Sequence, residues 1–293
     1  MPAIPHDADR PQWMKSIPFL AVHLVALAAP FLAHPTWRLA GLAASVYALL
    51  MFGITAGYHR YFSHRAFKTG RALQFVLAVL GTLSVQKGVL WWAAHHRDHH
   101  RYSDGPLDVH SPVQRGFWWS HVGWILSERF DATRLDRVRD LARYPELRWL
   151  DRFGVALPIA FAAGLFLAGG LPFLLWGFFV PVTVVWHVTF SINSVAHVLG
   201  RRRYATGDDS RNNAILALLT FGEGWHNNHH FYPTSANQGW FWWEVDVTFY
   251  VLRALAALGL VRDLRTPPRR IRDGIAVGGE HLEVPAPDAA SGA

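Results

Sequence analysis

The chain has 293 residues, 51% of them hydrophobic, with 14 tryptophans, 17 histidines and no cysteine. The missing thiols exclude a disulfide framework, an iron–sulfur cluster, a rubredoxin-type centre and thiolate chemistry. The formal charge of +7 is accounted for by basic loops facing anionic lipid headgroups, so no nucleic-acid partner is required.

In chain order, the first long apolar run is Ile17 to Ala33, interrupted only by His23. Nothing before Ile17 has the cleavage signature of a signal peptide, so this run is expected to stay as an anchor. A second run, Leu39 to Tyr58, ends in the first histidine cluster, His59-Arg-Tyr-Phe-Ser-His64. Five residues turn an α-helical side chain by roughly 140°, so this HxxxxH pair does not share one helix face. Its members are expected either to bind different ions or to straddle a helix end. On the same run Gly53, Ala56 and Gly57 are small, which leaves room either for close helix packing or for a bound chain.

Arg71 to Ala94 is apolar but carries Gln74, Gln86 and Lys87, and it leads into the second cluster, His96-Arg-Asp-His99-His100. As a full span it would put the first two clusters on opposite membrane faces. We therefore read it as an interfacial or re-entrant helix. Thr133 to Leu150, with Leu135, Val138 and Leu141 on one side, reads as a surface-lying amphipathic helix. Two further apolar runs, Val155 to Leu171 and Phe173 to Val195, meet at a turn around Leu171, and the third cluster, His226-Asn-Asn-His229-His230, follows later.

These runs predict an all-α integral membrane protein of four transmembrane helices in two hairpins, under a cytoplasmic helical cap that carries the histidines. The Lys/Arg bias agrees: Arg10, Lys15, Arg60, Arg65, Lys68, Arg129 to Arg152 and Arg201 to Arg203 fall on the side of the termini and clusters. Both termini and the site are thus expected on the cytoplasmic side, in the cell inner membrane if the chain is bacterial. Residues 1–275 are read as one domain. Residues 276–293, rich in Ala, Gly and Pro, are expected to be a disordered tail.

In each HxxHH cluster, positions i, i+3 and i+4 share a helix face, so three imidazoles can converge. One ion rarely takes more than six ligands, so eight clustered histidines imply at least two metals. All-nitrogen ligation suits iron, copper, zinc or nickel. A redox pair beside an apolar chamber suits O2 activation at an unactivated methylene. Zinc hydrolysis would want the Glu of HExxH, which is absent.

The chain resembles the membrane fatty acyl desaturase family, of the stearoyl-CoA Δ9 type, from the second run to about Pro267. The resemblance is carried by Gly57-Tyr58-His59-Arg60 through His64-Arg65, by His96 to Tyr102, and by Phe117-Trp118-Trp119-Ser120-His121-Val122-Gly123-Trp124. Asn193-Ser194-Val195-Ala196-His197 and Gly222-Glu223-Gly224-Trp225-His226 through His230 complete it. It implies a di-iron centre held by His59, His64, His96, His99, His100, His197, His226, His229 and His230, with Asn193 holding a metal-bound water and O2 as co-substrate. The expected product is a cis double bond, at Δ9. The electrons would come from a separate ferredoxin, cytochrome b5-like protein or flavin reductase.

His95 competes geometrically with His96, but the family register favours His96. His110, His121 and His187 are expected to hydrogen-bond around the site, and His6, His23, His34 and His281 read as incidental. Trp91, Trp92, Trp118, Trp119, Trp240, Trp242 and Trp243 fit an interfacial aromatic belt. The chain also departs from the pattern. Where the animal acyl-CoA enzymes carry an Arg-Asp pair before the second cluster it has Ala94 and His95, and where they carry a basic pair it has Glu128-Arg129. The acyl carrier is therefore left open among CoA, acyl carrier protein and an intact glycerolipid. Two rival functions stand beside desaturation, a di-iron hydroxylase and a non-catalytic membrane metal carrier.

Overall fold

The computed structural model describes residues 12–273 and is built almost wholly of helices. The expectations for His6, His281 and the 276–293 tail fall outside the described residues. Helix α1 (Trp13–Leu32) carries a row of exposed large apolar side chains, Leu24, Leu27 and Phe31 among them. Helix α2 (Trp37–Ser63) starts at Thr36, whose hydroxyl accepts from Leu39 N–H at 3.3 Å. From Gly53 to Ser63 it winds as a π-helix.

The next apolar stretch breaks into α3 (Arg71–Leu83) and α4 (Val89–Tyr102). Val85 and Lys87 take positive φ in the turn between them, at 59° and 67°. Helix α3 runs antiparallel to the π-helical segment. A Cβ on Gly53 would lie 2.5 Å from the Leu80 carbonyl carbon, one on Gly57 would lie 2.9 Å from the Leu77 oxygen, and Tyr61 donates to Gln74 at 2.9 Å. The small residues of α2 therefore serve close packing, and no chain-sized space opens beside Gly53. Helix α4 then turns back, which returns the second histidine cluster to the end where the first one lies.

The Thr133 to Leu150 stretch is not one surface helix. It forms a 3-10 turn (Leu135–Arg137), a short helix (Arg139–Ala142) and helix α5 (Pro145–Phe153). Pro145 disfavours helical backbone at Tyr144 and splits the run. Val138, Leu141, Leu147 and Leu150 are buried in the core with Val89, Leu90 and Leu77. Asp151 caps α4, accepting from Leu90 N–H at 3.1 Å and Trp91 N–H at 2.9 Å.

The helical stretch Ala156–His197 leaves helical geometry at Gly169 and Gly170, where φ of Gly170 is +65°. This divides it into α6 (156–168) and α7 (171–197). The turn thus sits at the glycine pair, adjoining Leu171 as expected, because glycine tolerates positive φ. The arms fold back on each other, with the rings of Phe161 and Phe178 6.3 Å apart. Helix α1 packs on α7 through Phe19 stacked on Trp186 at 5.1 Å, and Trp176 donates to the Ala33 carbonyl at 2.9 Å. By length and apolarity, Trp37–Ser63 and Ala156–His197 can cross a bilayer, while α1 has a shorter apolar stretch, Ser16–Leu32.

Beyond α7 come α8 (Ala214–Leu219), α9 (His226–Phe231) and α10 (Val247–Ala257). A two-stranded pairing of Lys68–Thr69 with Val261–Arg262 ties the C-terminal segment to the loop after the first cluster. The tryptophans do not form one belt. Trp118, Trp242 and Trp243 are exposed, whereas Trp91 and Trp240 are buried in aromatic packing.

Candidate metal centre

The three clusters and His197 meet at one end of the helices. His59, His64, His96, His100 and His229 form one group and His99, His197, His226 and His230 a second, with the ligand atoms of each group within 4.8 Å of one another. The first group joins α2, α4 and α9; the second joins α4, α7 and α9. His59 and His64 share a group because the π-winding stacks residues five apart, and His64 N–H donates to the His59 carbonyl at 3.2 Å. The two readings left open for this pair reduce to one: a common group, with His64 at the helix end.

The ring nitrogens face inward. Nε2–Nε2 separations are 2.7 Å for His64 and His96, 3.0 Å for His59 and His229, 2.9 Å for His229 and His100, and 3.1 Å for His197 and His226. Two nitrogens at right angles on an ion about 2.1 Å away would stand about 3.0 Å apart, which is what these pairs show. His230 Nε2 is buried without a hydrogen-bond partner. An unpaired buried nitrogen in a ring of imidazoles is the arrangement that a metal ion would satisfy.

Carboxylates hold the outer nitrogens of four rings. Glu223 pairs with His59 Nδ1, Asp108 with His99 Nδ1 at 3.0 Å, Asp104 with His197 Nδ1 at 2.8 Å and Asp208 with His230 Nδ1 at 2.6 Å. A carboxylate only accepts, so each Nδ1 carries the proton, and in the neutral ring Nε2 presents a lone pair inward; at His99, burial is outweighed by Asp108 and the neighbouring carboxylates, which raise the ring above its ordinary value. Burial pushes these acids up, but the facing imidazoles outweigh it. Asp104 is held at about 2, Glu223 at about 2 with Arg60 assisting, and Asp108 and Asp208 well below the carboxylate range. Burial and then neighbouring histidines push His64, His96, His100, His226 and His229 well below the ordinary value. At neutral pH these rings are uncharged and able to ligate.

Glu223 is placed by a buried network. Arg60, fully enclosed, donates to Glu223 at 3.0 Å, to both Asp246 oxygens at 2.9 Å and to the Ala236 carbonyl at 2.7 Å. Gln238 donates to Glu223 at 2.8 Å. Gly222, at φ +125°, leaves the space that Asp246 and Arg60 fill. Sequence reasoning missed Asp104, Asp108, Asp208, Glu223 and Asp246. Nearness to a cluster was a signal only for Asp104, Asp108 and Glu223, and the pairings of Asp104 with His197, Asp208 with His230 and Glu223 with His59 join separate segments.

The other histidines separate. His95 is in neither group, bonds to the Trp91 carbonyl at 2.9 Å and packs against Trp91 and Trp124. His110 packs on His99, 4.3 Å between ring centroids, and lies with His99 and Asp108 in a third cluster. His23 is not incidental. It meets His187 at 2.9 Å, and His187 meets His121 at 3.1 Å.

Next to the first group lies a largely apolar cavity of about 490 Å³, lined near the histidines by Trp92, His96, His110, Trp124 and Asn193. Its other rim is made by Ser16 and Pro18 of α1 and by Val155 and Pro158 at the start of α6. Ala94 and His95 are buried, so no charge reaches solvent at those positions. The volume lies within the range of small-molecule sites, and the lining suits a hydrocarbon chain.

Residues 35–266 match the fatty acid desaturase family model. The chain belongs to the fatty acid desaturase family. It is 39% identical to an sn-1 stearoyl-lipid 9-desaturase of Synechocystis sp. over 91% of this chain and 85% of that protein. It is also 39% identical to an sn-2 palmitoyl-lipid 9-desaturase of Nostoc sp., over 90% and 94%. An acyl-CoA 5-desaturase of Anemone leveillei is 39% identical over 84% and 77%. The protein is an O2-dependent fatty acyl desaturase, membrane-associated, with clustered histidines suited to metal.

Proposed function

We propose that the desaturase holds two iron ions, one in each histidine group, and introduces a cis double bond at Δ9 of an acyl chain seated in the apolar cavity. The observation that carries this reading is the set of nine converging imidazoles, four of them oriented by carboxylates. When bound, the irons supply the oxidant that removes two hydrogens from adjacent methylenes. The overall balance is a saturated chain, O2, two electrons and two protons going to the unsaturated chain and two waters.

The chain's own residues do the rest. Asp104, Asp108, Asp208 and Glu223 hold the tautomers that point Nε2 inward. Trp92, stacked on His96 with 4.9 Å between centroids, forms a wall between cavity and ligands. Asn193 lines the cavity beside His96 and is assigned to hold a metal-bound water. The apolar lining excludes bulk water from the reacting carbons.

The acyl carrier in this reading is a membrane glycerolipid. The basic and acidic side chains expected for CoA are replaced by buried Ala94 and His95, and the cavity rim lies at α1 and α6, beside lipid-facing apolar surface. The four-span arrangement, with α1, α2, α6 and α7 crossing the inner membrane and both termini and the histidines cytoplasmic, is supported by the Lys/Arg bias and by the exposed apolar faces of α1 and α6. Electrons come from a separate ferredoxin, cytochrome b5-like protein or flavin reductase. Mass spectrometry of lipids after expression in a desaturase-deficient host tests the proposal. New monounsaturated chains at carbon 9 of intact glycerolipids are expected; hydroxylated chains, or unsaturation confined to acyl-CoA, would overturn it.

A further inference from the structure

Most polar side chains along the apolar cavity already have partners. Gln86 donates to Thr189 at 3.3 Å, Lys87 pairs with Asp131 at 3.0 Å and Ser16 donates to the Gln12 carbonyl at 2.8 Å. His95 gives Nδ1 to the Trp91 carbonyl at 2.9 Å, and Asp151 caps α4. Trp124 differs. Its ring lines the cavity and is 6% exposed, yet its indole nitrogen is buried with no hydrogen-bond partner among the described residues. His110, 5.1 Å away between ring centroids, lines the same cavity and has a buried Nδ1 in the same condition.

An indole nitrogen donates and never accepts, so a buried one calls for an acceptor oxygen. A hydrocarbon tail has no acceptor to offer. An acyl chain brings one with it, the carbonyl oxygen of the ester that joins it to its carrier.

We propose that the Trp124 N–H receives the ester carbonyl oxygen of the acyl substrate and thereby sets which carbons face the metal groups. The methylenes of a saturated chain are chemically alike, so the position of the double bond has to be measured from one end. A donor at a fixed place in an otherwise satisfied cavity measures it from the carbonyl end.

The place of Trp124 is fixed on both sides. It stacks on Trp91 with 5.7 Å between centroids and 11° between planes, and the Trp91 indole N–H donates to the Phe130 carbonyl at 2.6 Å. Towards the metal centre, His110 packs between Trp124 and His99 of the group of four, 4.3 Å from the His99 ring. Contacting rings therefore tie the donor to a metal-group histidine, and the fold sets the spacing between them. In the other direction lies a charged edge. Lys87 stands over the Trp91 ring at 5.8 Å, its pair with Asp131 is partly exposed, and both residues line the cavity. An ester held at Trp124 leaves the polar carrier at that edge and sends the hydrocarbon inward.

The assignment rests on the reading that the acyl chain occupies this cavity. Trp124→3-benzothienylalanine in the full-length holoenzyme tests it, because the bicyclic shape is kept and only the N–H is replaced, by sulfur. Metal content and thermal midpoint are expected to stay at the wild-type level. With an ester-linked stearoyl glycerolipid, kcat/KM should fall about three- to tenfold, the worth of one hydrogen bond, and the double bond should scatter to neighbouring carbons. The ether-linked analogue has no carbonyl. On it the wild type should show the same loss and scatter, and the variant no further change. An unchanged rate and bond position on the ester would overturn the proposal. So would equal losses on ester and ether, since the N–H would then serve ring packing or a bound water. If that variant does not fold, Trp124→Phe carries the same comparison. Infrared spectra give a readout without turnover. A ¹³C-labelled ester carbonyl, bound with no electron donor present, is expected to stretch at lower frequency in wild type than in the variant, and equal frequencies would also overturn the assignment. Failure of the cavity reading would look different: Ile125→Trp would then leave the preference among acyl lengths unchanged.

Discussion

His59 and His64 stand five residues apart yet bring their rings to 4.8 Å between centroids, in one group of five imidazoles. An α-helical turn would have splayed them. The π-winding of Gly53–Ser63 aligns them, and the same segment packs closely against α3 at Gly53 and Gly57.

Removing one ring from either group is expected to lower iron from two ions toward one per chain and to abolish desaturation, because the groups act as a unit. His229→Ala tests the group of five and His226→Ala the group of four. His95→Ala should retain both ions. Metal analysis of the purified variants decides, and equal metal loss at His95 would mean that the ligand set is misassigned.

Asp104→Ala removes the acceptor that fixes His197 and leaves the ring free to rotate. Iron affinity at the group of four is expected to fall about 10- to 100-fold with the helical content unchanged. A chelator competition series measures it. An affinity equal to wild type would show that backbone packing alone orients His197.

The metal-free protein should lose stability as pH falls from 7 toward 5. Unfolded histidines take up protons near about 6.5, whereas His64, His96, His100, His226 and His229 are held well below that in the fold. The unfolded state then binds more protons, so stability rises with pH across this window and is fully present above it. Thermal midpoints at several pH values in detergent check the slope, and a flat profile would contradict it.

Gly53→Phe is expected to destabilise the fold by more than about 3 kcal/mol instead of shortening the products, since a Cβ there already meets the Leu80 backbone. Ile125→Trp, in the cavity wall, should instead leave metal content normal and reduce activity most on the longest acyl chains. Product profiles across acyl lengths separate the two. A stably folded Gly53→Phe protein with shorter products would restore the tunnel on α2.

The cysteine-free background allows a topology test. Single cysteines near Asp104 should be labelled only from the cytoplasmic side, and one at Pro35 only from the other. External labelling near Asp104 would refute the four-span arrangement.

The long apolar runs and the i, i+3, i+4 spacing of two clusters were legible along the chain, because helix periodicity and bilayer length are local properties. So were the membrane association, the departure at Ala94 and His95, and, through its motifs, the desaturase family. The turn at Gly169–Gly170 was legible too, since several residues near Leu171 break helices.

Other features are decided only where segments meet. The close packing of Gly53 and Gly57 on α3 brings together Leu80, Leu77 and the π-wound segment. The division of the histidines into five and four depends on how α2, α4, α7 and α9 converge. Asp104 reaches His197 across 93 positions of sequence and Glu223 reaches His59 across more, so no local pattern announces either pair. His23 looked incidental on an isolated apolar helix and became one end of a hydrogen-bonded row once α1 lay against α7. Sequence by itself determines which side chains are present and which local winding is cheap; the tertiary structure determines which of them share a dry space, and there the pairing of lone pairs, protons and charges is settled.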